Sequence, residues 1–171
     1  MLASERDQLK TEIWEMAKKF DYHRSGLMPV LQHIQQKYRH ISPEVMQETA
    51  GAFHIHPVEV QGVVSFYSFL STERKGKFII RLCQTISCDM AGKAALARQL
   101  ENDLGISFGK TTKDGLFTLE YTNCLGMCDS GPALLVNDEI YTKVTPESVA
   151  EIIDTYVKKF GANVTTEETH K

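Results

Sequence analysis

The chain has 171 residues, of which 42% are hydrophobic and 24% are charged, and its net charge is −3. This composition is typical of one folded domain or two small ones and excludes a disordered chain. The uncharged apolar runs are far shorter than the ~20 residues of a membrane helix, and the N-terminus has no signal-peptide core. We therefore expect a cytoplasmic protein that reaches a membrane, if at all, only through partners.

Charge is unevenly divided along the chain. Residues 1–77 carry 10 Lys and Arg against 9 Asp and Glu, whereas residues 78–171 carry 9 against 13. Proteins that bind nucleic acids gain affinity from clustered Lys and Arg, and the sequence has no such cluster. The segment 43–70 superficially resembles a helix-turn-helix, but Val58–Val64 has no Arg or Lys for phosphates or bases. We therefore expect no nucleic-acid partner.

Apolar residues at ~3.6-residue spacing predict that residues 1–77 form a helical domain, which we interpret as a partner-docking domain. The first stripe is predicted to end at Gly26. Ser42 is predicted to cap a helix that begins at Pro43, and Pro57 to open another. The polar segment 72–77 is the predicted boundary. The inward positions of the four helices are Leu9, Ile13, Met16, Ala17 and Phe20; Leu27, Val30, Leu31, Ile34 and Tyr38; Val45, Met46, Thr49, Ala50 and Phe53; Val60, Val63, Val64 and Tyr67.

Residues 78–161 change to alternating strands and helices. Strands are predicted at 78–82, 117–121, 133–136 and 140–144, the last two joined as a hairpin. One helix is predicted at 91–104 with Gly105 as its C-cap, and a final helix from the N-cap Thr145 to a stop at Gly161. Residues 162–171 are predicted to be a polar tail.

The predicted order from residue 78 is therefore β-α-β-β-β-α. A right-handed helical crossover makes the first two strands parallel, and the hairpin adds antiparallel strands to the same sheet. The fold class is α+β: an N-terminal helical bundle followed by a thioredoxin-like α/β domain with a mixed sheet.

All four cysteines, Cys83, Cys88, Cys124 and Cys128, lie in this second domain, as a C-x₄-C pair and a C-x₃-C pair with 35 residues between them. Both pairs follow predicted strands. In a reducing cytosol such pairs indicate metal or redox sites. A [2Fe–2S] cluster needs four thiolates, two on each iron, and these spacings permit that arrangement. Glycines near the cysteines would let backbone N–H groups approach the sulfurs, at Gly92, Gly126 and Gly131.

Other interpretations compete with a cluster. A structural zinc site also uses four cysteines, although tight zinc knuckles favour small folds without a full core. Free thiols or a redox disulfide are possible, but no C-x-x-C motif is present. A Rieske centre needs two histidine ligands, and no histidine lies between Cys83 and Cys128. His54 and His56 are interpreted as capping or surface residues, and the aromatic residues Phe66, Tyr67 and Phe69 as core or subunit interface.

The runs Leu82–Gly92 and Asn123–Pro132 resemble the two cluster loops of the thioredoxin-like [2Fe–2S] ferredoxin family. Its best-known member is the small iron–sulfur subunit of the NADH-oxidising module of respiratory complex I. Relatives occur in soluble NAD-linked hydrogenases, electron-bifurcating hydrogenases and NAD-dependent formate dehydrogenases. The segment Gly62–Tyr67 also resembles the helical extension of the family. The resemblance implies that Cys83, Cys88, Cys124 and Cys128 ligate one [2Fe–2S] cluster, and it places a cis-proline at Pro132.

The same resemblance implies electron transfer within a multi-subunit NAD(P)H-linked oxidoreductase. The sequence has no G-x-G-x-x-G fingerprint, no P-loop and no catalytic triad order, so no substrate site is expected on this chain. FMN and NAD(P) are expected on a partner subunit, accompanied by further iron–sulfur or catalytic subunits. The remaining alternatives are a structural zinc scaffold and a stand-alone [2Fe–2S] ferredoxin.

Overall fold

A computed structural model describes residues 3–167 of the chain, with side chains for residues 6–160. The chain divides into two compact units, Met1–Lys75 and Gly76–Lys171. The sequence placed the division two residues later, after Lys77. Among the described residues, no helix is long and apolar enough to cross a membrane.

The first unit consists of four helices and a short 3-10 turn. The helices are α1 (Ala3–Lys18), α2 (Leu27–Tyr38), α3 (Pro43–Phe53) and α4 (Pro57–Phe66). The predicted starts of α3 and α4 are confirmed. The Ser42 hydroxyl accepts a hydrogen bond from the Val45 N–H (3.3 Å), and the His56 N–H donates to Glu59 Oε1 (3.2 Å).

The predicted end of the first helix at Gly26 is wrong. Helix α1 ends at Lys18, because Asp21 and Tyr22 take left-handed backbone conformations (φ 50° and 56°) that interrupt a right-handed helix. Gly26 instead ends the 3-10 turn Arg24–Gly26 before α2. A Cβ at Gly26 would lie 2.6 Å from Phe20 Cβ, so this glycine serves close packing.

The core of the first unit is built from the predicted apolar stripes of its helices. Most stripe residues of the four helices are buried, and Ala52 joins them from α3 and Ile41 and Leu70 from the connecting segments: Leu9, Ile13, Ala17, Leu27, Val30, Leu31, Ile34, Ile41, Val45, Met46, Ala50, Ala52, Phe53, Val60, Val64 and Leu70. Of the other predicted inward residues, Met16, Phe20, Tyr38 and Val63 are partly buried and Tyr67 is 39% exposed. Removal of the apolar surface of these side chains from water supplies the main driving force for folding of the unit.

The second unit contains a four-stranded mixed sheet. Its strands are β1 (Phe78–Cys83), β2 (Phe117–Thr122), β3 (Leu134–Val136) and β4 (Glu139–Tyr141), in the order β2-β1-β3-β4. Strand β1 is parallel to β2 and antiparallel to β3, and β3 is antiparallel to β4. The α+β class and the predicted mixed sheet are confirmed. Strand β4 is displaced from the predicted 140–144, because the hairpin turn is shorter than expected.

Three helices accompany this sheet: α5 (Ile86–Met90), α6 (Lys93–Leu104) and α7 (Pro146–Glu167). The C-cap Gly105 (φ 63°) and the N-cap Thr145, whose hydroxyl accepts from the Ser148 N–H, are confirmed. Helix α5 was not predicted. The predicted helix stop at Gly161 is wrong, since one glycine costs a helix only ~1 kcal/mol and no proline follows. Residues 168–171 of the predicted tail lie outside the described part.

One face of the sheet packs on α6 and α7. This core comprises Phe78, Ile80, Leu82, Leu96, Ala97, Leu100, Phe117, Leu119, Leu134, Val136, Val144, Val149, Ile153 and Tyr156. The alternate positions of β1 are only partly buried, and there Arg81 Nε lies 3.2 Å from Glu120 Oε2 of the neighbouring strand. The buried face makes register strict, because a slip of one residue would expose it. The sheet therefore fixes where β1 and β2 end.

Candidate metal centre

The parallel pairing of β1 and β2 brings the cysteines to one edge of the sheet. Cys83 is the last residue of β1 and pairs in register with Thr122, the last residue of β2. Cys124 follows two residues later, with Cys128 in the same loop, and Cys88 lies on α5, which follows β1 directly. Carboxyl ends of parallel strands meet at one edge, where chemistry-bearing side chains commonly gather.

The four thiols form an inner and an outer pair. Cys83 and Cys88 are each 1% exposed, and Cys88 lies close enough to Cys83 to help lower the pKa of the Cys83 thiol. Cys124 and Cys128 are exposed, with 3.3 Å between their sulfurs. Among the side chains that the structure describes, no three His, Cys, Asp or Glu converge as a site for one ion. The thiols are arranged two by two, as the irons of a [2Fe–2S] cluster require.

The inner sulfur of Cys83 is surrounded by hydrogen-bond donors. The Thr85 hydroxyl lies 3.2 Å from it, and the backbone N–H groups of Thr85 and Leu125 also donate to it. Burial alone raises the pKa of this thiol, but the donors outweigh burial and lower the pKa to about 7. The site therefore favours a thiolate at Cys83, which is the form that binds a metal.

The outer pair is held by the two loops together. The Gly126 N–H donates to Cys124 Sγ (3.3 Å), and Gly126 has φ 81°, which glycine adopts without strain. The Ser87 hydroxyl, from the first loop, hydrogen-bonds the Cys128 sulfur of the second. The hydrogen bond with Cys124 raises the pKa of Cys128, and repulsion between two adjacent thiolates raises it further. A cation between the two sulfurs would remove that repulsion.

The second loop also lies next to the inner pair. A Cβ on Gly131 would lie 3.5 Å from Cys88 Sγ, so its backbone is next to this sulfur. The Gly131–Pro132 peptide bond is cis, and Pro132 lies two residues before the start of β3. The expected cis-proline is thus present. Gly92, the third glycine of the sequence prediction, is the N-cap of α6 (φ 100°).

Sequence reasoning missed the hydroxyl donors Thr85 and Ser87. The T-x-S pattern inside the C-x₄-C loop could have indicated these donors, because hydroxyls at these positions can reach either the start of the helix or the sulfurs. The capping interpretation of His54 and His56 is confirmed, as they are the C-cap of α3 and the N-cap of α4. Phe66 is 79% exposed, so of its two predicted roles the core is excluded and the subunit interface stays a prediction.

Comparison with known proteins decides the family. The sequence model of the thioredoxin-like [2Fe–2S] ferredoxin family matches residues 13–157, most of the chain. The chain belongs to this family. The family is defined by one [2Fe–2S] cluster, and the two thiol pairs of this chain have the chemistry that such a cluster needs.

Individual relatives agree with this assignment. The NADH-quinone oxidoreductase subunit 2 of Thermus thermophilus is 38% identical over 76% of this chain and 72% of the relative. The NAD-reducing hydrogenase HoxS subunit alpha of Cupriavidus necator is 29% identical over 85% of this chain and 24% of the relative. A crystal structure of NAD⁺-reducing [NiFe]-hydrogenase has the same fold, with a TM-score of 0.68 and 24% identity over 78% of this chain. The chain spans about a quarter of each hydrogenase polypeptide.

Proposed function

We propose that Cys83, Cys88, Cys124 and Cys128 ligate one [2Fe–2S] cluster. The observation that carries this proposal is the arrangement of four thiols as two contacting pairs at the edge where β1 and β2 end. Because each pair belongs to one short loop, we assign Cys83 and Cys88 to one iron and Cys124 and Cys128 to the other. The lowered pKa of Cys83 favours the ligand form before any metal binds.

We further propose that the chain is the electron-transfer subunit of a multi-subunit NAD(P)H-linked oxidoreductase. Support comes from the family and from relatives named as NADH-quinone oxidoreductase and NAD-reducing hydrogenase subunits. The parent enzyme is of the NADH dehydrogenase, soluble or bifurcating hydrogenase, or formate dehydrogenase type. FMN and NAD(P) belong to a partner subunit, and this chain has no substrate site of its own. The Met1–Lys75 unit docks partners, and the complex works in the cytoplasm or on its membrane face.

The residues of the chain provide a site for single-electron transfer. A bound [2Fe–2S] cluster accepts and releases one electron at a time. The inner pair is shielded from solvent, which limits water access, whereas the outer pair is exposed and marks the side open to a partner. The N–H groups of Thr85, Leu125 and Gly126 point at sulfurs and stabilise the negative charge of thiolates.

Metal and sulfide analysis of anaerobically purified protein tests the proposal. The expected preparation is brown and contains two irons and two sulfides per chain. Each Cys→Ala variant should lower that content, whereas Asp129→Ala, an exposed change beside Cys128, should not. Stoichiometric zinc without visible absorbance would instead establish the zinc scaffold and refute the proposal.

Isolation of the native complex tests the partner. The expected result is co-purification with a flavin-containing, NAD(P)-binding subunit. A chain that carries the cluster but elutes alone at every ionic strength would be a stand-alone ferredoxin, and the assignment to a larger complex would be wrong.

A further inference from the structure

Thr85 stands at the N-cap of α5, but its side chain does not cap the helix. It is the N-cap of α5, where a threonine hydroxyl usually accepts a hydrogen bond from the first turn, yet its side chain makes no capping hydrogen bond. The hydroxyl lies instead 3.2 Å from the sulfur of Cys83. The local rule for helix starts is thus broken at the predicted metal site, which is where such exceptions are expected.

The direction of this hydrogen bond follows from the chemistry of Cys83. Either atom is able to donate while Cys83 is a thiol. A sulfur bound to a metal is a thiolate and only accepts, so the Thr85 hydroxyl must then donate. Cys83 is 1% exposed, so water does not replace a lost donor there. A fixed hydroxyl in a buried site therefore acts on the charge of the sulfur without competition from solvent.

We propose that Thr85, through the hydrogen bond from its hydroxyl to the Cys83 sulfur, raises the reduction potential of the cluster. The inference rests on the proposed function, because it takes Cys83 as a ligand. Reduction adds one electron, and so one unit of negative charge, while no bond forms or breaks and no proton moves at Thr85. The sulfur is a thiolate in both redox states, but the added electron increases the negative charge on the cluster and its sulfurs, so the hydrogen bond strengthens on reduction and the donor stabilises the reduced state more than the oxidised state. Thr85 is a positioning residue that never contacts the electron donor.

The test is a redox titration of the full chain with its cluster, reduced stepwise by dithionite and followed by electron paramagnetic resonance. Thr85→Val keeps the branched shape and removes the hydroxyl, and Thr85→Ser restores a hydroxyl on a smaller side chain. The expected result is a roughly tenfold weaker reduction equilibrium in Thr85→Val, a midpoint lower by about 59 mV for one electron. Thr85→Ser should stay near the wild type.

A matched control removes a neighbouring hydroxyl. Thr122 pairs in register with Cys83, and its hydroxyl makes no hydrogen bond to sulfur among the described contacts, so Thr122→Val should leave the midpoint unchanged. If Thr85→Val fails to retain the cluster, Thr85→Ala replaces it with the same expectation. An unchanged midpoint without the hydroxyl, or equal shifts in Thr85→Val and Thr85→Ser, would overturn the inference.

Failure of the proposed function gives a different result. Wild-type protein without iron and sulfide would refute the cluster before any midpoint is measured. Wild-type protein with the cluster, combined with an unchanged midpoint in Thr85→Val, would refute only the role of Thr85.

Discussion

Thr118 offers a sharp test of how the sheet that carries the cysteines is held together. It lies in β2 and is 0% exposed, and its Oγ1 accepts a hydrogen bond from the Gly76 N–H at 2.6 Å. The same oxygen lies 2.8 Å from the Thr111 hydroxyl. Thr118→Val keeps the shape of the side chain and removes the oxygen.

The expected loss of stability in Thr118→Val comes from the Gly76 N–H, which remains buried without its acceptor. Valine fills the space of threonine, so no cavity forms, but the buried Gly76 N–H loses its acceptor, at a cost of about 1–3 kcal/mol. Little room exists for a replacement water, because the Cα of Gly76 lies so close to β2 that a Cβ would be 2.7 Å from the Phe117 carbonyl carbon. Thr111 is only partly buried and can turn towards solvent. We expect Thr118→Val to lower the free energy of unfolding by about 2 kcal/mol.

Native-state hydrogen exchange of the β1 amides measures this loss in the unit concerned, because a two-domain chain need not unfold in one step. Thr118→Val should speed the slowest β1 amides roughly 30-fold, the factor that corresponds to about 2 kcal/mol. Thr122→Val, at the partly buried end of the same strand, should change stability by less than about 0.5 kcal/mol. Equal exchange rates in the two variants would show that the Thr118 oxygen does not stabilise the sheet.

Two further predictions concern one unit each. In the first unit, the Glu12 carboxylate contacts His33 (2.6 Å) and Lys37 (2.7 Å); burial raises its pKa, but these hydrogen bonds outweigh burial and lower it below 4.5. The stabilisation from the Glu12 carboxylate is therefore present above pH 4.5 and is lost as pH falls through the pKa of the folded state. Glu12→Gln should lower the free energy of unfolding by about 1 kcal/mol at pH 6, a small loss because both partners are half exposed, and should not change it at pH 2. Urea unfolding followed by Trp14 fluorescence measures both values. In the second unit, Leu82→Ala removes a fully buried side chain of β1 and should cost about 2–5 kcal/mol in urea unfolding followed by circular dichroism.

Exposed neighbours provide the controls. Glu15→Gln, on the solvent side of α1, should shift stability little at either pH, and Ile86→Ala, 72% exposed, should stay within about 0.5 kcal/mol. A Glu12→Gln loss that persists at pH 2 would contradict the role of the carboxylate charge. A Leu82→Ala loss no larger than that of Ile86→Ala would contradict the assigned core.

The sequence predicted the convergence of the four cysteines better than it predicted their surroundings. Cysteine spacing survives folding, and the strand ends that deliver Cys83 and Cys124 follow from apolar runs that the sheet must bury. Helix α5 was missed because five residues are too few to show a helical period. Thr85 was missed because capping and sulfur bonding have the same signal in sequence, and only the folded loop distinguishes them.

Long-range contacts account for the other errors. Thr118 alternates with Phe117 and Leu119 along β2, which predicts a place on the polar face of the strand, but the bridge to Thr111 and the close approach of Gly76 bury it. Tyr121 has an inward position by alternation but is 45% exposed, and its ring stacks on Phe108 with 4.0 Å between centroids. No local pattern reports where a loop from elsewhere in the chain will pass, so these positions required the structure.

The most direct test of a [2Fe–2S] cluster at the four cysteines is electron paramagnetic resonance of the dithionite-reduced protein, combined with its iron and sulfide content. A [2Fe–2S] cluster held by the four cysteines predicts two irons and two sulfides per chain, a half-integer spin signal equal to one spin per chain, and loss of that signal in the Cys83→Ala and Cys124→Ala variants. A protein with stoichiometric zinc and no signal, or one whose signal persists unchanged in both variants, would contradict it.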